Sequence, residues 1–225
     1  MIVGAVGDIH GDFAAVRRAM KAHPDVPFWL CVGDVADAEG RYEPFPLPLY
    51  WIKGNNENFD AIAAGELPEG LRYIPNATIA DVGGLRVAGL GGTFAPTMYD
   101  VPAADLPHPK KGTAKATELA DRRRHFVREE VEACTRMRGV DILLTHEAPR
   151  PFRVGRVDAG KTPVNEVLAA MTPRLHLFGH HHRFADANVK GVRSVCLDVV
   201  GRSYVLIESK TLEFSVQSPQ DTDGA

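Results

Sequence analysis

Short apolar runs alternate with helical spacing in the first third of the chain. Ile2 to Val6 reads as a buried strand, and the turn after it ends at Gly11. Asp12 then has the side chain to N-cap a helix from Phe13 to about Lys21, with Phe13, Val16 and Met20 on one face. Phe28-Trp29-Leu30-Cys31-Val32 is apolar throughout, the pattern of a strand covered on both faces. Residues 43 to 48 hold three prolines in six positions, which excludes helix and central strand. They predict an extended connection into a strand over Leu49 to Ile52.

The pattern changes in the middle. Thr78 to Val82 and Leu85 to Gly89 flank Gly83-Gly84, a hairpin signal. Gly89-Leu90-Gly91-Gly92 lacks the spacing of a dinucleotide or phosphate-loop fingerprint and reads as a tight turn rather than a phosphate cradle. The proline-rich stretch 94 to 113, ending in Lys110-Lys111-Gly112, is long enough to predict a lid or substrate-facing loop. Thr117 to Met137 reads as helix, broken once, and Arg122-Arg123-Arg124 with Arg128 beside Glu129 and Glu130 as its solvated face.

Val140 to Leu144 and Leu175 to Phe178 are strand-like, and Thr162-Pro163 starts a helix running to about Met171. Phe184 to Val189, Val192 to Cys196, Ser203 to Glu208 and Leu212 to Val216 follow as short strands. Alternating strands and helices followed by an all-strand stretch predict an α/β (α+β) fold. Its form is a four-layer αββα sandwich, two mixed sheets flanked by helices. One domain over 1–217 and a frayed polar tail over 218–225 are expected, without internal repeats.

Bulk properties add a few bounds. With 225 residues and a net charge of -3, the chain has room for one sizeable core and no nucleic-acid-coated surface, though a local basic groove stays open. Cys31, Cys134 and Cys196 lack CxxC spacing and read as buried reduced thiols. A strand beginning at Ile2 leaves no place for a signal peptide, and no apolar run approaches the ~20 residues of a membrane span. A cytoplasmic protein without membrane contact is expected. Nothing in the pattern marks an oligomer interface.

The chemistry lies in five fragments, each just after an expected strand: Asp8-Ile9-His10, Gly33-Asp34-Val35-Ala36-Asp37, Gly54-Asn55-Asn56-Glu57, Thr145-His146-Glu147 and Gly179-His180-His181-His182. Ligands at the carboxyl ends of several strands converge in one crevice. Divalent manganese, iron, zinc or nickel accepts mixed imidazole and oxygen donors. The Asp34 carboxylate has the lone pairs to bridge two ions, and Asn55 can offer an amide oxygen. Asp8 and His10 alternate along a segment taken as extended, as do His180 and His182, so His181 should point away. Taken singly, each fragment has a blander reading: a surface turn, a helix start, a solvated histidine run, a packed core histidine. The ordered set, always at strand ends, is what predicts a binuclear site. Glu57 reads equally as an orienting group or a solvated acid. His23, His108, His125 and His176 fall in a connector, the insertion, a helix and a strand.

These motifs resemble the D-x-H, G-D-x-x-D, G-N-H-[D/E], lone H and G-H-x-H pattern of the calcineurin-like metallophosphoesterase superfamily, from Asp8 to His182. The resemblance implies a two-sheet sandwich flanked by helices and two divalent ions, manganese first among them. It implies that Asp8, His10, Asp34 and His182 hold one ion and Asp34, Asn55, His146 and His180 the other. A hydroxide between the ions would attack phosphorus.

One departure limits the reading. The histidine of G-N-H-[D/E] is Asn56 here, and an amide donates a hydrogen bond but delivers no proton. Losing such a catalytic group costs about 10²–10⁴-fold for poor leaving groups. Asp37, which often supports that histidine in relatives, is drawn into the same question as the second catalytic candidate. Within the superfamily such replacements occur among phosphodiesterases, which favours a diester, of nucleotide or nucleic-acid type. The alternatives are a phosphomonoesterase on protein or small molecules and a metal-bound nucleotide-binding protein with weak catalysis. Ala38-Glu39, in place of Arg-Gly, argues against protein Ser/Thr phosphatases and dinucleoside tetraphosphatases. Gly91 to Pro96, Arg124-His125-Phe126 and Asp141 to Arg150 resemble RNA lariat debranching enzymes, which keep the histidine. On the substrate side, Arg150 and Arg153, with Arg156 in the same loop after His146, have the guanidinium forks for one of them to clamp a phosphate, and read equally as a solvated basic loop.

Overall fold

The computed structural model describes residues 1–106 and 121–219. Along the chain run β1 (Ile2–Val6), α1 (Phe13–Ala22), β2 (Trp29–Cys31), β3 (Leu49–Trp51), α2 (Phe59–Ala64), β4 (Leu71–Tyr73), β5 (Ile79–Val82) and β6 (Leu85–Leu90). Then come α3 (Arg128–Thr135), β7 (Ile142–Thr145), β8 (Arg153–Val154), β9 (Val157–Asp158), α4 (Thr162–Met171), β10 (Leu175–Phe178), β11 (Ala185–Val189), β12 (Val192–Cys196), β13 (Tyr204–Glu208) and β14 (Phe214–Gln217). Asp12 caps α1 as expected, its side chain accepting from the Ala15 amide. Asn58 does the same for α2 by accepting from Ala61, and Gly65 ends that helix in the left-handed region.

Two six-stranded sheets form, ordered β14-β13-β1-β2-β3-β4 and β11-β12-β10-β7-β6-β5. Each mixes directions: β1, β2, β3 and β4 are parallel neighbours, as are β6, β7, β10 and β12, while the remaining pairings are antiparallel. Val3, Ala5, Leu30 and Val32 of the first sheet pack against Ile142, Leu144, Leu175 and Leu177 of the second. The opposite face of the first sheet buries Trp29 and Trp51 against Phe13, Val16 and Met20 of α1, with Ile62 of α2 beside them. Val131 and Cys134 of α3 and Val164, Val167 and Leu168 of α4 cover the second. Parallel strands sandwiched in this way explain the unbroken apolar runs. The four-layer αββα arrangement is as expected. Cys31, Cys134 and Cys196 are free and buried. No helix among the described residues is long and apolar enough to cross a membrane.

One local expectation needs correction. The helix expected from Thr117 to Met137 is, among its described residues, a 3₁₀ turn at Arg122–Arg124 followed by α3. His125 is extended between them, because Thr93 pairs with it and the fully buried Phe126 and Val127 follow. Arg122-Arg123-Arg124 is therefore not a helix face. The short elements α2, β4, β8 and β9 lie below the length at which periodicity is readable. Of the stretch 94 to 113, residues 94–106 are described: Phe94 and Tyr99 pack on Phe126, and Ala103–Asp105 forms a 3₁₀ turn. Lys110-Lys111-Gly112 and His108 lie outside the described residues.

His176 is the packed strand histidine expected, fully buried in β10. Its Nε2 lies 2.9 Å from Thr145 Oγ1 and its Nδ1 3.1 Å from Ser194 Oγ. Thr145 already donates its hydroxyl to the Glu147 carbonyl at 2.6 Å, so Nε2 carries the ring proton, and the one hydroxyl hydrogen of Ser194 is shared between Nδ1 at 3.1 Å and the Val192 carbonyl at 3.3 Å. Burial depresses this imidazole from 6.5 to about 3. The unfolded chain takes up the proton below pH 6.5 and the folded one does not until about pH 3. The stability is thus complete above 6.5 and is lost as pH falls through that window, by on the order of 5 kcal/mol. Urea unfolding of metal-free protein should show this loss in the wild type and a shallower one in His176→Gln. Coincident pH slopes would refute the assignment.

Candidate metal centre

The parallel strands decide where the polar fragments meet. Asp8 follows β1, Gly33-Asp34 follows β2 and Asn55 follows β3, three neighbours in one sheet. His146 follows β7, and His180 and His182 follow β10, two neighbours in the other. Their carboxyl ends share one rim of the sandwich.

There Asp8 and Asp34 are 1% exposed and His146 is fully buried. His182 Nε2 lies 3.1 Å from Asp8 Oδ2, and His10 Nε2 lies 3.8 Å from it. The His10 and His182 Nε2 atoms are themselves 3.1 Å apart. Asp34 Oδ2 is 3.6 Å from His10 Nε2 and 3.7 Å from His146 Nε2, so it stands between the two halves of the cluster. His180 completes the set, its ring 4.8 Å from that of His146. Two groups, Asp8-His10-His182 and Asp8-Asp34-His146, each have donor atoms within 4.8 Å of one another, with Asp8 common to both. All seven residues expected as ligands are brought together. His181 points elsewhere, its ring against Phe152 at 4.6 Å.

The donor set fits metal ions. His146 Nδ1 lies 2.9 Å from the Val32 carbonyl, which can only accept, so the ring proton sits there. Nε2 of the neutral ring then directs a lone pair at Asn55 Oδ1, another acceptor, 3.0 Å away. Two facing acceptors call for a metal ion or a proton between them. Burial opposes charge on His146, but Asp34 and Asp8 outweigh it and raise its pKa. Burial likewise works against the Asp8 anion, and the hydrogen bond from His182 overcomes it, leaving the pKa lowered. Burial and the neighbouring His146 depress His180 to about 4, which keeps its ring neutral and able to ligate.

The backbone corrects one expectation. His10, His180 and His182 are not on extended segments: with Asp34 they occupy the left-handed region, at φ 47°, 69°, 48° and 52°. The side chains are aimed by turns, at a strain of about 1–3 kcal/mol for each residue. Two glycines make the room. A Cβ on Gly54 would lie 2.0 Å from Asp34 Oδ1, and one on Gly179 would lie 2.3 Å from Asp8 Oδ1.

Glu57 organises the loops behind this cluster. Its carboxylate accepts from the Gly54 and Val35 amides, both at 3.1 Å, from the Ala36 amide and from the Tyr42 hydroxyl at 3.0 Å. It thereby ties the Asp34 loop to the Asn55 loop, the orienting alternative of the two. Burial, helped by the Asp34 charge, pushes it up to about 8. Asn56 donates its amide N–H to Asp34 Oδ1 at 2.8 Å and its side-chain Nδ2 to Asp34 Oδ2 at 3.0 Å. Asp37 accepts from the Glu39 and Arg41 amides and from Arg41 Nε, which holds its carboxyl below the usual range.

A cavity of about 680 Å³ opens beside His10, Asn55 and Asn56, walled by Asp37–Gly40, Asn58–Asp60, Asp121, Arg123 and Arg124. Arg150 and Arg153 are not in its wall. Arg150 instead pairs with Asp158 at 2.9 Å, and Arg153 lies exposed in the β8–β9 hairpin. Sequence reasoning missed Arg124 and also Lys53. Lys53 is buried at the end of β3 and donates to the carbonyls of Arg123 at 2.8 Å and His125 at 3.2 Å. A lysine between an apolar strand and a ligand fragment was the available signal. The glycine turn is a plain one: the Gly91 amide binds Asn76 Oδ1 and the Gly92 amide binds the Lys53 carbonyl.

A two-sheet sandwich with aspartate, histidine and asparagine donors gathered at one rim is the architecture of a metallophosphoesterase. The chain belongs to the calcineurin-like phosphoesterase family, whose model matches residues 1–184. A lariat debranching enzyme from Schizosaccharomyces pombe is 25% identical over 201 residues, 77% of this chain. The match spans 42% of that longer protein. Among solved structures, TT1561 of Thermus thermophilus superposes with a TM-score of 0.65 at 15% identity, over 97% of this chain and 98% of its own. A dimetal phosphatase from Danio rerio superposes with a TM-score of 0.55 at 11% identity, over 97% and 98%.

Removing the Glu57 carboxylate strands three backbone amides and a hydroxyl. Glu57→Ala is expected to destabilise metal-free protein by about 3 kcal/mol, and Glu57→Gln, which retains an acceptor and the shape, by less than half as much. Denaturant titration measures both, and equal losses would mean that the side chain only fills space.

Proposed function

We propose that this chain is a metal-dependent phosphodiesterase acting on a nucleotide- or nucleic-acid-type diester. Asp8, His10, Asp34 and His182 would hold one divalent ion, and Asp34, Asn55, His146 and His180 a second, manganese being the first choice and iron, zinc or nickel the others. Such ions, when bound, clamp phosphate oxygens and acidify a water into a nucleophile.

The observation that carries the preference for diesters is the position of Asn56. Its backbone N–H and one N–H of its side-chain amide go to Asp34, so it orients the proposed bridging carboxylate. An imidazolium there would match the extra charge of a monoester dianion, whereas a neutral amide suits the single charge of a diester. Asp37, fixed by Arg41, shapes the cavity wall rather than moving a proton. Arg150 and Arg153 would engage only a substrate reaching past the cavity. The similarity to a lariat debranching enzyme supports a nucleic-acid-type diester.

With manganese supplied, bis(4-nitrophenyl) phosphate should be turned over with a kcat/KM at least about tenfold above that of 4-nitrophenyl phosphate. Asn56→His should shift the ratio towards the monoester by about 10²-fold. Absence of diester turnover in protein shown to contain metal would sink the proposal, and a monoester preference would replace it with a phosphomonoesterase.

A further inference from the structure

The cavity wall is crowded with carboxylates, and nearly all are matched. Arg123 bridges Asp121 and Asp60, the latter at 2.8 Å. Arg41 holds Asp37 at 2.8 Å and Glu39 at 2.9 Å. Arg124 differs from both. Its Nε is buried and has no hydrogen-bond partner, and its guanidinium has no acidic partner among the described residues. An unsatisfied buried N–H on a permanently charged group is costly, by about 1–3 kcal/mol or more.

The backbone around it is fixed. Lys53 Nζ donates to the carbonyls on either side, those of Arg123 and His125. The Arg124 carbonyl itself accepts from the Thr93 amide at 2.8 Å. A buried lysine thus serves to hold a turn whose central arginine has a buried Nε without an acceptor among the described residues. Ordering that would otherwise oppose binding is already in place.

The cavity also has room for more than a phosphoryl group, since about 680 Å³ lies within the ~300–1,000 Å³ of small-molecule sites. One side of its wall is His10, Asn55 and Asn56, and Arg124 belongs to the same wall. We propose that Arg124 receives a second, non-reacting phosphate of the substrate while the reacting one lies at the metal ligands. A guanidinium fork matches that group in shape and charge. The proposal rests on the reading of the centre as a phosphoesterase, and it narrows the substrate class to esters that carry a second phosphate.

Calorimetry on manganese-loaded protein provides the test, with adenosine 3′,5′-bisphosphate and adenosine 5′-monophosphate as probes. Wild type should bind the bisphosphate about tenfold or more tightly than the monophosphate, as one charge-assisted contact provides. Arg124→Gln should bring the ratio close to one, and Arg124→Lys, a point charge without the fork, should fall between. Equal affinities in wild type, or an unchanged ratio in Arg124→Gln with an unchanged melting temperature, would overturn the proposal. Lys53→Met, which frees the turn, should reduce the ratio without removing the guanidinium. A trinucleotide binding more tightly than the bisphosphate supports a strand as the source of the second phosphate, and the reverse order supports a free nucleotide. A retained ratio without aryl diester turnover would fail the phosphodiesterase reading alone, because the ratio is read from binding.

Discussion

The anion on Asp34 is the constraint around which this structure is organised. A carboxylate 1% exposed cannot keep its charge unless the protein surrounds it with donors and cations. Here two N–H groups of Asn56 reach it, His10 and His146 approach it from opposite sides, and Gly54 leaves space for its oxygen. Glu57 then fixes the two loops that make those contacts possible. Moving any of these groups changes the local balance of charge, which ties the geometry of the centre to the integrity of its supports.

The layers serve the same end. Each sheet presents parallel strand ends at one rim, and only their packing, through residues such as Leu30, Val32, Leu144 and Leu177, brings Asp34 within reach of His146. The centre is an inter-sheet object. Its histidines belong mainly to the second sheet and its carboxylates to the first, so the apolar interior and the polar rim depend on one another.

Much of this was legible in the residues. Continuous apolar runs at 2–6 and 28–32 signalled covered strands, Asp12 signalled a helix start, and the ordered Asp, His and Asn fragments signalled a site no single one of them could establish. What could not be read was set by contacts distant in sequence. The helical pattern through Arg124 lost to the pairing of His125 with Thr93, 32 residues away, and to Lys53 beneath it, 70 residues from Arg123. Local pattern carries no trace of such partners. The aim of His10, His180 and His182 was also misjudged, because alternation along a strand was assumed where the chain turns left-handed.

Those left-handed turns restrict the chemical alphabet of the site. Among residues with a side chain, asparagine, aspartate and histidine enter that region most readily. They are also the donors that a mixed nitrogen and oxygen metal site requires. At His10, Asp34, His180 and His182 the backbone and the ion therefore select the same few residues. Substitution within that set can alter charge and metal preference with little disturbance of the loops. Substitution by a β-branched residue meets resistance from the backbone before any metal is considered. The loops thus act as a filter on sequence drift, biasing the centre towards exchange of one ligand for another over its erasure.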